Sequence, residues 1–383
     1  MIKTKFLNIG KDIHTLIAEL VQDSDVFNLT QISPDFSCPA ELSKLAEKYI
    51  RKGYNKYAHI DGLPELREAI SEKVESFYNA KYSPATEITI TAGATQAIFT
   101  AISTFVGEGD EVVLFEPAYS SYVPAILNSG GRPVFVQLKR PDYYIDWEEV
   151  QKIINTRTKL IIVNSPHNPT GAVFTEEDIA QLRKITNGTK ILVISNETFE
   201  HIIFDTRKHH SIAENQQLAE RSIIISSFGK TLNIPGWKIG YLLAPEKLMS
   251  QIRKSNIFQI NSVNTPLQYA LADYMNTKID YSAIVKPYEE NRNMVLDCLM
   301  NSKFEIVPSK GTFYQLLDYK AISDEKDTEF AKRLIDQVGV ALFPLSVFYH
   351  DSVDNKMVGM CFNRNKEIME EACMRLKKIN SLG

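Results

Sequence analysis

From Glu87 onward the chain alternates short continuous runs of Val, Ile and Leu with amphipathic helical segments, and this constrains the fold more than any other feature. The runs are Glu87–Thr91, Glu111–Phe115, Pro133–Val136, Leu160–Val163, Ile191–Ile194 and Ile223–Ile225. A strand with one wet face alternates apolar and polar residues, whereas one that is apolar at consecutive positions is covered on both faces. With helices such as Glu176–Ile185 between them, the runs predict a mainly parallel sheet between helices, an α/β fold. Ligands of such sheets bind beyond the carboxyl ends of the strands.

Residues 1–45 read as an arm: a short amphipathic helix carrying Ile13, Leu16, Ile17 and Leu20, then Asn28–Phe36, where Pro34 and Asp35 break regular structure. Lys56–Arg67 reads as a loop with Gly62, followed by a helix carrying Leu66, Ile70, Val74 and Phe77; Tyr57 is an exposed aromatic before it. Gly93-Ala94-Thr95 reads as a tight turn that opens the helix Gln96–Val106, whose N-terminal N–H groups suit an anion such as phosphate. Helices follow around Gln251–Ile260, through Leu271 and Tyr274, and from Tyr288 to Leu299 after Pro287. The C-terminal part predicts strands at Phe304–Val307, Thr312–Leu317, Val340–Phe343 and Met357–Phe362. A helix with Ile368, Met369, Ala372, Leu376 and Ile379 on one stripe closes it.

At 383 residues the chain exceeds one small core and is expected to form a large domain with a smaller partner. The expected division is an arm over 1–45 that packs on the small domain, a large domain over 46–285 and a small one over 286–383. A net charge of −4 gives no footing for nucleic acid, and no run approaches the roughly 18 apolar residues of a membrane span. Cys38, Cys298, Cys361 and Cys373 lack C-x-x-C spacing and read as free thiols in a reducing compartment, with no metal site implied. The segment MIKTKFLNIGKDIHTLIAEL has no apolar core of signal-peptide length, so a cytoplasmic location is expected.

The run Ile223–Ile225 ends in small residues, which delivers Lys230 onto a loop at a strand's exit. Hydroxyls at Ser226 and Ser227 precede it and a second cation, Lys238, follows. This set suits a phosphorylated aldehyde: Lys230 for a Schiff base, Ser227 and Lys238 for the phosphate. Taken alone, Lys230 reads rather as one of many solvated lysines.

The separated motifs converge. Tyr57 with Gly62 and Leu66-Arg67, Thr91–Thr95, Glu116–Tyr119, Asn164–Gly171 and Ser226–Tyr241, in this order, resemble the class I/II pyridoxal-phosphate aminotransferases of fold type I. The texture is that of the kynurenine/glutamine and methionine aminotransferase branch. The resemblance implies a large domain on a mostly parallel seven-stranded sheet plus a smaller α+β domain. It also implies pyridoxal 5′-phosphate as cofactor, a small amine or amino-acid substrate, and a homodimer with shared active sites. In its terms Ala94 and Thr95 bind phosphate, Tyr57 reaches the neighbouring subunit's cofactor, Tyr119 stacks on the pyridine ring and Asn168 bonds its phenolic oxygen. Pro169 holds a turn with a cis peptide, and Lys230 is both attachment point and proton shuttle.

Three positions depart from that family. Asn196 and Phe199 stand where it has an aspartate and a tyrosine, and Gly359 stands where it has the arginine that grips the substrate carboxylate. Ile32 replaces a glycine, and Arg364 is a poor substitute for the missing guanidinium because its offset points it to the other face of the strand. Lys230 and the phosphate positions are intact, so cofactor binding is expected to persist with altered substrate recognition. Transamination of an unusual donor, another reaction such as elimination, decarboxylation, oxidation or racemisation, and a non-catalytic binding role all stay open.

Overall fold

The structure is a computed structural model that describes residues 17, 21 and 25–379. The helix expected over Ile13–Leu20 therefore lies outside the described residues except for Ile17, which is buried. The described chain begins with β1 (Phe27–Asn28), α1 (Ala40–Arg51), α2 (Pro64–Tyr78), β2 (Ile88–Thr91), α3 (Gly93–Phe105), β3 (Glu111–Glu116), α4 (Tyr122–Asn128) and β4 (Arg132–Gln137). It continues through α5 (Trp147–Ile153), β5 (Thr158–Asn164), α6 (Glu176–Thr186), β6 (Leu192–Asn196), α7 (Gln216–Ala219), β7 (Ser222–Ser227), α8 (Phe228–Thr231) and β8 (Gly240–Leu243). Next come α9 (Glu246–Gln259), α10 (Thr265–Met275), α11 (Tyr281–Leu299), β9 (Tyr314–Asp318), α12 (Asp327–Val338), β10 (Val340–Ala341), β11 (Phe343–Pro344), β12 (Met357–Cys361) and α13 (Lys366–Lys378).

The main sheet has seven strands in the order β2-β8-β7-β6-β5-β3-β4. Pairings from β7 to β4 are parallel, and β8 alone runs antiparallel to both of its neighbours. The apolar runs build its middle because each strand feeds two cores. Ile224 packs with Val113, Ile161 and Val193 on one face. Ile223 and Ile225 pack with Val112, Leu160 and Ile194 on the other, beneath Ala97, Ile98 and Ala101 of α3. Burying each such isoleucine contributes about 1.5–3 kcal/mol, so a charge placed at Ile224 would have no wet face to turn to. A three-stranded antiparallel sheet, β11-β12-β9, and the parallel pair β1-β10 complete the strands.

Several boundaries differ from the sequence reading. Gly93-Ala94-Thr95 is the first turn of α3 rather than a separate turn, and Lys230 sits in the short helix α8 rather than on a loop. The long helix begins at Tyr281, with Pro287 inside it. Asp280 caps its start by accepting from Ala283 N, and Tyr281 stacks on His201 at 4.0 Å; these anchors offset the N–H that proline lacks. Phe304–Val307 forms no strand and meets β9 through the bridge between Glu305 and Asp318 and through Gln315, which donates to Val307 O at 2.8 Å. Val340–Phe343 is divided at Leu342, because β10 pairs with the arm (Phe27 opposite Val340) while β11 pairs with β12 (Phe343 opposite Gly359). The arm is tied down further where Leu29 accepts from Cys361 N at 2.6 Å. Helix α1 packs on α10, and Tyr49 donates to Asp273 at 2.6 Å.

Candidate active site

The carboxyl ends of β6 and β7, the start of α3 and parts of the small sheet enclose a cavity of about 340 Å³. Ala94, Thr95, Tyr119, Asn168, Asn196, Ser227, Lys230 and Lys238 all line it, though the sequence scatters them from 94 to 238. Tyr57 does not. It lies outside the cavity with 82% of its surface exposed, in a loop fixed where Ala58 N donates to Ser262 Oγ at 2.9 Å.

Helix α8 turns immediately after β7 because Ser227 caps it, accepting from Gly229 N at 3.1 Å. The strand end is itself pinned: Ser226 donates to Glu200, a buried carboxylate paired with Lys73 at 2.6 Å and also bonded by Tyr241 at 3.1 Å. Burial alone would push the Glu200 carboxyl up, but Lys73 and the donors around it hold it below the usual range. The Lys230 amine is thereby delivered inside the protein, 3.2 Å from the Ile32 carbonyl and 4.8 Å from the Phe313 ring centroid. Burial, with a smaller push from Lys238, lowers its pKa to about 8. A buried amine of this kind is neutral far more often than a surface lysine and is correspondingly nucleophilic.

Opposite Lys230 the first turn of α3 has no side-chain cap. Gly93, at φ +78°, lets Lys238 come close: a β-carbon there would stand 3.4 Å from Lys238 Nζ. Gly240 of β8 passes so near that its β-carbon would lie 2.8 Å from Ser226 O and 3.1 Å from Ala94 N. Uncapped N–H groups, the Ser227 hydroxyl and an ammonium on one wall form an anion cradle. Thr95 Oγ1 and the Tyr119 hydroxyl are 3.1 Å apart at its edge.

Asn164, at the end of β5, organises the amides. It donates to the carbonyls of Asn196 at 2.8 Å and Pro166 at 3.1 Å, and accepts from Asn168 N at 2.9 Å. The Asn168–Pro169 peptide is cis. The side-chain oxygen of Asn168 is buried at the cavity wall without a protein partner, so this amide has bonding capacity left for a ligand. Asn196 is held in place with one N–H left over: its Nδ2 donates to the Tyr122 hydroxyl at 2.8 Å, and its Oδ1 accepts from Thr198 Oγ1 at 2.6 Å and Thr198 N at 3.2 Å.

Phe199 packs edge-on against Phe313 at 5.1 Å and supplies a ring but no hydroxyl. At Gly359 an added β-carbon would stand 2.2 Å from Phe343 Cζ and 2.9 Å from Leu316 Cδ2. Arg364 is absent from the cavity wall; its guanidinium is engaged by Asp35 at 3.0 Å and Gln31 at 2.6 Å.

Sequence reasoning missed Tyr314, Phe343 and Phe348, which form the facing wall. Each lies in a short segment far from Lys230 in sequence, and no spacing signals it. Phe348 is set by a clamp: Glu116 accepts from His350 N at 2.6 Å and approaches His350 Nδ1 at 2.9 Å, and Ala118 N donates to Phe348 O at 2.8 Å. The same clamp fixes the loop that presents Tyr119.

The family described as aminotransferase class I and II matches residues 24–376. The methionine aminotransferase of Escherichia coli is 39% identical over 378 residues, 98% of each chain. A solved structure of an Escherichia coli methionine aminotransferase superposes with a TM-score of 0.96 at 39% identity, covering 99% of both chains. The structure of N-succinyldiaminopimelate aminotransferase from Mycobacterium tuberculosis gives 0.95 at 31% identity, covering 99% of this chain and 100% of that one.

Proposed function

The chain belongs to the class I and II aminotransferases, which use pyridoxal phosphate, and on that premise we propose that Lys230 carries the cofactor while α3, Ser227 and Lys238 hold its phosphate. The protein is an aminotransferase acting on small molecules. The observation behind the assignment of roles is one cavity containing a partly buried amine with its pKa lowered to about 8, opposite an uncapped helix N-terminus. A neutral amine meets an aldehyde, and the cradle meets a phosphate, so the residues fit the group.

When bound, the cofactor supplies a carbonyl that takes up the amino group and a ring that accepts the electron pair left at the substrate carbon. The protein does the rest. Lys230 removes and returns the proton at that carbon, a task suited to a buried amine that can be neutral near physiological pH. Tyr119 covers the ring and Asn168 bonds its oxygen substituent. Asn196 offers the ring nitrogen an amide and no charge. Aromatic side chains around the lysine exclude water and keep the proton transfer confined.

The reading extends to assembly. Tyr57 would reach the cofactor of a second copy in a homodimer. Its exposure, and that of Phe258 at 90%, on segments linked through Ala58 and Ser262, supports such a face. Among the described residues no helix is long and apolar enough to cross a membrane, and we place the enzyme in the cytoplasm. Residues 46–285 and 286–383 would act as large and small domains, with the arm on the latter.

Titrating cofactor-free protein with pyridoxal phosphate tests the core of this. Visible absorption should saturate at one cofactor per chain, and inorganic phosphate should compete. Uptake that never saturates, or that ignores phosphate, would overturn it.

A further inference from the structure

We propose that the donor this site accepts is an apolar primary amine without an α-carboxylate, with Phe343 as the residue that sets this preference. The inference rests on the cofactor placement above and names the substrate class of the same site.

Charge on the cavity wall carries the argument. Among the described residues its only charged side chains are Lys230 and Lys238; it has no arginine, histidine, aspartate or glutamate. Lys238 stands over Gly93 at the anion cradle, and Lys230 serves first as the cofactor's attachment point and then, once the donor's nitrogen takes its place, as the neutral base that moves the proton. Among the described residues of this chain, no cation on the cavity wall is then left for a substrate carboxylate. The remaining wall joins the apolar and aromatic side chains of Ile32, Phe199, Tyr314, Phe343 and Phe348 with the uncharged hydroxyls of Thr30, Ser33, Ser120 and Thr198, none of which can neutralise a carboxylate. Phe343 is itself locked, edge to face with Phe348 at 5.4 Å and Tyr314 at 6.0 Å, and its ring fills the space that any side chain at Gly359 would need. A carboxylate placed against these rings loses its hydration without gaining a partner, whereas an aryl or alkyl group gains contact area.

The reaction balances without an outside oxidant. The amine R–CH2–NH2 loses its C–N bond and one C–H bond and takes the oxygen of one water to become R–CHO, a two-electron oxidation. An acceptor R′–CHO gives up its oxygen as one water and gains the nitrogen and one C–H bond as R′–CH2–NH2, the matching reduction, so that no net water is consumed. Because both compounds meet the same wall in turn, the acceptor is also a carbonyl compound without a carboxylate.

The test uses the holoenzyme and a matched pair, 2-phenylethylamine and L-phenylalanine, which differ only by the carboxylate. The readout is the change in the cofactor's visible absorption on titration. Half-saturation with the amine is expected at least about tenfold below that with the amino acid. The double variant Gly359→Arg with Phe343→Ala should reverse this order, and Phe343→Ala alone should narrow it. An equal or stronger response to L-phenylalanine in the wild type, or no response to either compound, overturns the proposal. A protein that takes up no cofactor on Lys230 would instead overturn the placement on which it rests, so the two failures are distinguishable.

Discussion

The cavity has two unlike walls. One, from α3, β7, α8 and the segment before β8, is built of free N–H groups, hydroxyls and two lysines. The other, from β9, β11 and the turn ending at Phe348, is aromatic and uncharged. Most of the first comes from residues 93–240 and most of the second from 314–348, with the contacts of Glu116 and Ala118 to His350 and Phe348 joining them. In the proposed reading the polar wall would fix a phosphorylated cofactor, a requirement common to every reaction the cofactor serves. The aromatic wall meets whatever else is bound. At Gly359 the space a side chain would need is filled by the Phe343 ring, while Ala94, Thr95, Ser227 and Lys238 stand together at the cradle. Family membership thus describes the first wall better than the second.

Removing the centre of the polar wall should have the largest effect. Lys230→Ala should lower transaminase turnover by about 10²–10⁴-fold or more, measured in single turnovers at saturating cofactor. A comparable loss from Phe343→Ala would erase the contrast between walls. Lys238→Ala should act on affinity: losing a charge-assisted contact should weaken pyridoxal phosphate binding roughly 10- to 150-fold while pyridoxal, which lacks the phosphate, binds as before. Equal losses for both compounds would mean that Lys238 does not face the phosphate.

Asn196→Asp probes the floor between the walls. The Tyr122 hydroxyl and both donors of Thr198 surround residue 196, so a carboxylate can be accommodated. A carboxylate near the ring nitrogen favours its protonated form by about 1–3 pKa units and should raise single-turnover transamination at least about tenfold. An unchanged rate would show that this residue does not govern the ring.

The smallest expected effect is that of pH. With its pKa lowered to about 8 by burial, Lys230 loses its proton as pH rises through that value. The rate at which cofactor-free protein combines with pyridoxal phosphate should therefore climb about tenfold between pH 7 and 9 and level off. An ordinary lysine, near 10.4, would still be climbing.

How much of this was legible follows from which residues carry local signals. The parallel sheet was, because residues such as Ile223, Ile224 and Ile225 are buried on both faces and cannot alternate with polar ones. β8 was not: Gly240–Leu243 is short and antiparallel, held by neighbours rather than by pattern. α12 did carry a signal that went unread, with Phe330, Ala331, Leu334 and Val338 on one stripe and Gly339 in the left-handed conformation at its end. In the site, motif residues on the polar wall were readable since strand, turn and helix are contiguous there. Tyr314, Phe343 and Phe348 were not, because only the folded chain brings them to Lys230. The departure at Gly359 was visible in sequence, but Phe343 as the residue filling its place required the pairing of β11 with β12.

The most direct test of the account is covalent. Reducing the holoenzyme with borohydride should bleach its visible absorption, and peptide mass mapping should then find the pyridoxyl group on the peptide containing Lys230 and nowhere else. An unreactive chromophore, or a label on Lys238 or any other lysine, would contradict the assignment of the buried amine as the cofactor's anchor.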